Sequence, residues 1–142
     1  MELLKTFTSE SEQDTIGIAQ SLSKRFLDND VVLLEGDLGS GKTFLVKALC
    51  KIWETADDPS SPTFAILHQY RGPRPVNHFD LYRIENVAEL DNLGWEEFLE
   101  MGAVSFIEWP QMLEPQLQDF YKIKIHMNEQ SRTFELFHSD GK

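Results

Sequence analysis

The chain has 142 residues, 41% of them hydrophobic, so we expect a single folded domain over residues 1–142. Its formal net charge of −11, from 24 acidic and 13 basic side chains, argues against strong direct binding to nucleic acid. No apolar stretch approaches the roughly 18 residues of a membrane span, and one cysteine, Cys50, excludes an internal disulfide and fits a reducing cytoplasm.

The first half of the chain is predicted to alternate strands and helices. Residues 2–7 are a candidate edge strand, and the pairs Ser9/Glu12 and Ser11/Asp14 both have the spacing of a helix N-terminus. A helix of about four turns follows, with an apolar face formed by Ile18, Ala19, Leu22 and Phe26. The unalternating run Val31–Leu34 predicts a strand buried on both faces. A second helix then shows apolar residues at helical spacing: Phe44, Leu45, Ala48, Leu49, Ile52 and Trp53.

The second half is predicted to contain further strands and two short helices. Because only a turn at Arg71–Arg74 separates the first two of these strands, we expect them to pair antiparallel. The last two alternate weakly and are expected to form a C-terminal hairpin. The strand candidates are Phe64–Tyr70, Val76–Leu81, Ala103–Ile107, Phe120–His126 and Arg132–Phe137. The helix candidates are Val87–Trp95 and Glu96–Met101, punctuated by Gly94.

The motif GDLGSGKT, residues 36–43, lies between the buried strand and the second helix. It matches G-x-x-x-x-G-K-[ST] in full and stands in the strand-to-helix context that this pattern requires. Glycines let consecutive backbone N–H groups turn toward an anion, and the helix N-terminus adds its positive end. We therefore expect Lys42 to counter phosphate charge and Thr43 to ligate Mg²⁺. The predicted nucleotide-binding residues are Gly36, Gly39, Ser40, Gly41, Lys42, Thr43 and Phe44.

This motif and the order of the elements predict an α/β fold. We expect a three-layer P-loop NTPase-like domain with a mixed, largely parallel central sheet and an antiparallel C-terminal hairpin.

The nucleotide base is predicted to be adenine, because the N-K-x-D stretch with which Ras-type GTPases read guanine does not occur. Three residues outside the loop are candidate contacts. Glu12 can accept from the adenine amino group, Arg132 can stack on the ring, and Thr63 can approach the γ-phosphate as a switch element. The simpler interpretation of the first two is a solvated surface residue, and that of Thr63 is plain turn chemistry.

Two carboxylates follow apolar runs, Asp80 in VNHFDLYR and Glu108 in AVSFIEWP. Ligands in open α/β sheets bind at the carboxyl ends of the strands, so either carboxylate can serve Mg²⁺. We assign Glu108 to the metal, directly or through water. We assign Asp80 to contact with the groups that surround the metal or to orienting the attacking water, and the reverse assignment stays open. Lys42 and Asp80 are thus the predicted catalytic residues. His78 is either a hydrogen-bonding partner within this site or a core histidine.

Five acidic residues in the region of the two short helices form a cluster. They are either a solvated helix face or a docking surface for a basic partner: Glu89, Asp91, Glu96, Glu97 and Glu100.

The segments GDLGSGKT, SPTF, HFDLYR, Leu93–Gly94 and IEWP occur in the order and rough spacing of the TsaE family, small ATPases of bacterial tRNA threonylcarbamoyladenosine biosynthesis. The chain resembles this family over about residues 10–112, and the segments after the loop are far more specific than the loop. Ser40 and Phe44 stand where family members often carry Ala and a second Thr or Phe. Neither change removes a backbone donor.

The resemblance implies a cytoplasmic protein that binds ATP with Mg²⁺ through Lys42, Thr43, Asp80 and Glu108. It further implies docking on a complex of the threonylcarbamoyl transferase TsaD and its inactive paralogue TsaB, which modifies adenosine 37 of tRNA. The ATPase would reset the transferase between rounds. Because the sequence has no obvious arginine finger or lid, we expect weak hydrolysis alone and faster turnover in the partner complex. No membrane partner and no strong direct contact with nucleic acid are expected.

Two other functions are considered. A small-molecule kinase usually has an acceptor pocket and an arginine-rich lid, whereas only five arginines occur in this chain. The other is a binding module that uses nucleotide only structurally. Such a module would still bind nucleotide, and Lys42→Ala and Asp80→Ala would both leave pathway activity intact.

Overall fold

The computed structural model describes residues 1–57 and 66–140. Its strands are β1 Glu2–Ser9, β2 Val31–Glu35, β3 Ala56–Asp57, β4 Leu67–Arg71, β5 Val76–Asp80, β6 Val104–Glu108, β7 Phe120–Met127 and β8 Arg132–Ser139. Its α-helices are α1 Glu12–Ser23, α2 Lys42–Ile52, α3 Val87–Leu93 and α4 Trp95–Phe98. Two 3₁₀ turns follow β6, at Pro110–Met112 and Glu114–Gln116.

The strands form one mixed sheet in the order β1-β8-β7-β2-β6-β5-β4-β3. The four central strands, β7, β2, β6 and β5, run parallel to one another. Antiparallel strands extend the sheet on both sides, through β8 and β1 on one side and through β4 and β3 on the other. The predicted α/β fold with a mixed sheet, a parallel centre and a C-terminal hairpin is therefore confirmed.

Strand β2 shows why the molecule has three layers. Its side chains alternate between two hydrophobic cores, with Val32 and Leu34 in one core and Val31 and Leu33 in the other. Helices α1 and α2 supply the first core, whereas α3, α4 and the segment after β6 supply the second. A strand covered on both faces carries no alternation of polar and apolar residues, as the run in the sequence predicted.

Helix α1 begins at the second of the two candidate capping pairs. The side chain of Ser11 accepts a hydrogen bond from the backbone N–H of Asp14 over 3.0 Å, which satisfies one of the helix's unpaired N-terminal donors. All four residues of the predicted apolar face are buried. The helix ends at Ser23, however, so Phe26 packs into the core from the turn beyond it.

Several predicted boundaries differ from the structure; for example, the first short helix ends at Leu93 rather than Trp95, and β6 runs over Val104–Glu108 rather than Ala103–Ile107. Strand β4 begins at Leu67 rather than Phe64, and Phe64 lies outside the described residues. The second short helix runs over Trp95–Phe98 instead of Glu96–Met101, because Gly94 adopts a left-handed conformation (φ 78°) that ends α3 and starts α4 at once. Within the described ranges, no helix is long and apolar enough to cross a membrane.

The parallel centre of the sheet places three strand ends at one edge. Leu34 of β2 and Asp80 of β5 are both registered against Glu108 of β6, so the chain leaves all three strands side by side. This edge is where ligands bind in open α/β sheets.

Candidate nucleotide-binding site

The loop between β2 and α2 requires glycine at two positions, Gly41 and Gly36. Gly41 caps α2 with φ 104° and provides no side-chain cap, so the helix begins without a side-chain acceptor for its first N–H groups. At Gly36, an added Cβ would lie 2.7 Å from Ser40 Oγ and 3.0 Å from the Ile125 carbonyl oxygen. The loop is therefore folded tightly on itself, with its backbone donors placed at a positive helix end.

Lys42 is buried at the mouth of this loop. Its ammonium donates to the Gly36 carbonyl and, over 3.5 Å, to the Asp37 carbonyl. The ammonium also lies 3.8 Å from the centroid of the Trp109 ring. Burial lowers the pKa of Lys42, against the opposing charges of Glu108 and nearby aspartates. A phosphate group at the loop would add further negative charge beside this buried cation and oppose the effect of burial on its pKa.

Thr43 and Glu108 meet across the site. The hydroxyl of Thr43, in the first turn of α2, donates to Glu108 Oε2 over 3.1 Å. Glu108 is 4% exposed, and its carboxylate also contacts the ring of His78 through Nε2. Burial alone would raise the pKa of Glu108, but the hydrogen bonds from His78 and Thr43 and the charge of Lys42 outweigh it and lower the pKa. The carboxylate is thus held ionised beside the hydroxyl.

Asp80 ends β5 directly beside Glu108. It is half-buried, and its Oδ1 accepts a hydrogen bond from the Tyr82 backbone N–H over 3.1 Å. This bond fixes the turn after β5 and keeps the carboxylate at the strand end.

A cleft of about 500 Å³ joins these groups. Its lining includes both predicted contacts at the far ends of the chain, Glu12 and Arg132, and Arg132 also donates to the Gly39 carbonyl over 3.3 Å. Gly36, the first residue of the loop, lines a neighbouring cavity and not this cleft. Thr63 lies outside the described residues. The predicted residues that the cleft brings together are Glu12, Gly39, Ser40, Gly41, Lys42, Thr43, Phe44, Asp80, Glu108 and Arg132.

Three lining residues were not predicted: Leu38, Tyr82 and Trp109. Trp109 adopts a left-handed conformation (φ 57°, ψ 58°) that is uncommon for a non-glycine residue. In this conformation the Trp109 ring lies over the Lys42 ammonium. The centroids of the Tyr82 and Trp109 rings are 5.0 Å apart. The available signal in the sequence was an aromatic residue placed between a strand-end carboxylate and a proline.

The residues at the cleft suit Mg²⁺. Thr43 and Glu108 offer oxygen atoms, and Mg²⁺ in nucleotide sites is held by one or two carboxylates together with substrate phosphates and water. Among the residues that the structure describes, no three His, Cys, Asp or Glu side chains form a metal cage by themselves. The donor set therefore fits a cation that arrives with a phosphate ligand.

Comparisons with known proteins agree on one family. The family model described as "Threonylcarbamoyl adenosine biosynthesis protein TsaE" matches residues 9–135. A relative of that name from Rickettsia conorii is 38% identical over 110 residues, which is 75% of this chain and 62% of that protein. The Bacillus subtilis relative is 36% identical over 82% of this chain and 73% of its own length. The Nostoc relative is 31% identical over 95% and 86%.

A solved structure has a similar fold. The crystal structure of YdiB from Bacillus subtilis superposes with a TM-score of 0.76 and 25% identity, over 99% of this chain and 89% of that one. The family match spans nearly the whole chain and includes the loop, both carboxylates and Arg132. The chain belongs to the TsaE family of threonylcarbamoyladenosine biosynthesis proteins.

Proposed function

We propose that this protein is a cytoplasmic ATPase that binds ATP with Mg²⁺ and acts on the TsaB–TsaD complex during formation of threonylcarbamoyladenosine at position 37 of tRNA. The observation that carries the proposal is one cleft in which Lys42, the Thr43–Glu108 pair and Asp80 converge at the glycine-rich turn. Membership of the TsaE family supports the pathway.

The residues of the cleft have separable tasks in hydrolysis. Loop amides and the N-terminus of α2 bind the phosphates, and Lys42 neutralises charge on the β- and γ-phosphates. Thr43 and Glu108 would hold Mg²⁺, which would offset the charge of the phosphate oxygens. Asp80 accepts a hydrogen bond from the attacking water and orients it. The water oxygen bonds to the γ-phosphorus as the bond from that phosphorus to ADP breaks, and the proton of the water ends on the phosphate product.

The surface charge supports a protein partner rather than direct contact with tRNA. The net charge of −11 repels a polyanion, and the described cleft contains a single arginine, Arg132, which is bonded to Gly39. Hydrolysis in this enzyme class often depends on cations that a partner supplies. We therefore expect slow turnover alone and faster turnover with TsaB–TsaD.

The test is ATP turnover by the pure protein with and without TsaB–TsaD, for the wild type and two lysine variants. Lys42→Ala removes the buried ammonium and should abolish stimulated turnover, whereas Lys47→Ala, on an exposed position of the same helix, should leave it unchanged. No stimulation of the wild type by TsaB–TsaD would contradict the proposal. Transfer of the γ-phosphate to a small acceptor instead of water would indicate the alternative, a small-molecule kinase.

A further inference from the structure

A buried histidine lies behind the proposed metal ligand. His78 on β5 is 5% exposed, and its Nε2 is hydrogen-bonded to Glu108 Oε2. Both side chains in this contact are almost fully buried, at 6% and 5% exposed, so water does not compete for either group. His78 does not line the nucleotide cleft.

His78, Glu108 and Thr43 form a hydrogen-bonded series across three elements. The ring of His78 contacts the carboxylate from β5, and the Thr43 hydroxyl donates to it from the first turn of α2. A carboxylate at the end of a strand has two rotatable side-chain bonds beyond Cβ, and each extra partner removes some of that freedom. The series therefore fixes the direction in which the carboxylate of Glu108 points.

We propose that His78 is a positioning residue that fixes the Glu108 carboxylate against Thr43 and thereby sets the affinity for Mg²⁺ at the nucleotide site. The inference rests on the function proposed above and adds a residue that touches neither nucleotide nor cation. Outer partners of metal ligands typically change metal affinity 10- to 100-fold when they are removed.

A purely structural role is the competing explanation. The rings of His68 and Tyr70 on β4 lie 6.2 Å and 6.4 Å from the His78 ring, so His78 also belongs to an aromatic group. His68 is registered opposite His78 and is half-buried, which makes His68→Leu a matched control. It disturbs the same aromatic group and leaves the bond from His78 to Glu108 in place.

The experiment measures ADP binding by calorimetry with millimolar Mg²⁺ and with EDTA, for the wild type, His78→Leu, His78→Gln and His68→Leu. In the wild type, Mg²⁺ should tighten ADP binding. In His78→Leu we expect the factor by which Mg²⁺ tightens ADP binding to fall about 10-fold or more. The affinity for ADP in EDTA should equal that of the wild type. In His78→Gln, whose amide nitrogen can donate from the Nε2 position, we expect much of the gain to return. His68→Leu should keep all of it.

Three outcomes would overturn the inference. A full Mg²⁺-dependent gain in His78→Leu would show that the histidine does not position the carboxylate. An equal loss of ADP affinity with and without Mg²⁺ would indicate a packing role, and so would an equal loss in His78→Gln and His78→Leu. Circular dichroism shows whether His78→Leu is unfolded. If it is, the comparison of His78→Gln with the wild type decides. A wild type that binds ADP without any response to Mg²⁺ would instead overturn the proposed metal site itself.

Discussion

At the scale of single residues, the loop places stricter demands on its glycines than the helices do. Gly41 has a φ of 104°, and a Cβ there would lie 3.2 Å from Arg132 Nη1. Gly17, in the exposed middle of α1, has nothing within 4 Å of the same added atom. The two glycines therefore form a matched pair for one substitution.

We expect Gly41→Ala to weaken ADP binding about 10-fold or more. Alanine is strained at this φ, so the backbone at residue 41 should relax and turn the N–H donors of the loop away from the phosphates. Gly17→Ala should leave binding unchanged and raise the free energy of unfolding by about 0.5–1 kcal/mol, since glycine in a helix interior is destabilising. Calorimetry and urea unfolding measure the two effects. Wild-type affinity in Gly41→Ala would show that the loop does not need this conformation.

The sequence predicts the polar and charged site residues better than the aromatic ones. Lys42, Thr43 and Glu108 follow a motif or a strand end, and the fold brings them together without further information. Trp109 reaches the site only because its backbone turns left-handed before Pro110, which no local pattern shows. The assignment of Glu12 and Arg132 to the base is a prediction that their position in the cleft supports.

At the scale of elements, a buried lysine joins the strand before the loop to the segment after β6. Lys122 on β7 is 6% exposed, and its ammonium lies 3.0 Å from Glu35 and 2.7 Å from Glu114. Glu35 ends β2 immediately before the loop, and Glu114 begins the second 3₁₀ turn. The ion triad therefore ties the end of β2 to the segment after β6.

We expect Lys122→Met to lower the free energy of unfolding by about 2 kcal/mol, less than for a fully buried pair because both glutamates are partly exposed. Burial opposes the charge of Lys122, but the bonds to Glu114 and Glu35 outweigh it and raise the pKa. A raised lysine pKa adds stability that is present below about pH 10.4 and is lost as pH rises through the folded value. The control is Lys47→Met, at an exposed lysine. Urea unfolding between neutral pH and pH 11 should therefore show that the difference in free energy of unfolding between Lys122→Met and Lys47→Met becomes smaller at high pH. A constant difference would contradict the ion triad.

Element positions follow from hydrophobic pattern, and their ends follow from contacts that the pattern does not contain. The predicted apolar face of α2 included Ala48 and Trp53, which are half-buried, and omitted Val46 and Cys50, which are buried. The buried face of α2 is therefore rotated relative to the predicted one. The helix packs against both the sheet and α1, and this tertiary packing overrides the apolar spacing in the sequence.

At the scale of the whole molecule, the parallel centre of the sheet is what makes a site from distant residues. Glu108, registered between Leu34 and Asp80, becomes the neighbour of a loop 65 positions earlier in the chain. The five acidic residues of the cluster on and around α3 and α4 are all exposed, which agrees with a solvated face. Their role as a docking surface for a basic partner stays a prediction, as does the absence of strong tRNA binding.

The central claim is that the loop and the two strand-end carboxylates form one nucleotide and metal site. A crystal structure with Mg²⁺ and a non-hydrolysable ATP analogue tests it most directly. We predict the phosphates within the turn from Gly36 to Thr43, with Lys42 released from the Gly36 carbonyl to contact them. We expect Mg²⁺ to be found at the Thr43–Glu108 pair. An analogue bound elsewhere, or bound at the loop with Glu108 turned away from the cation, would contradict the account.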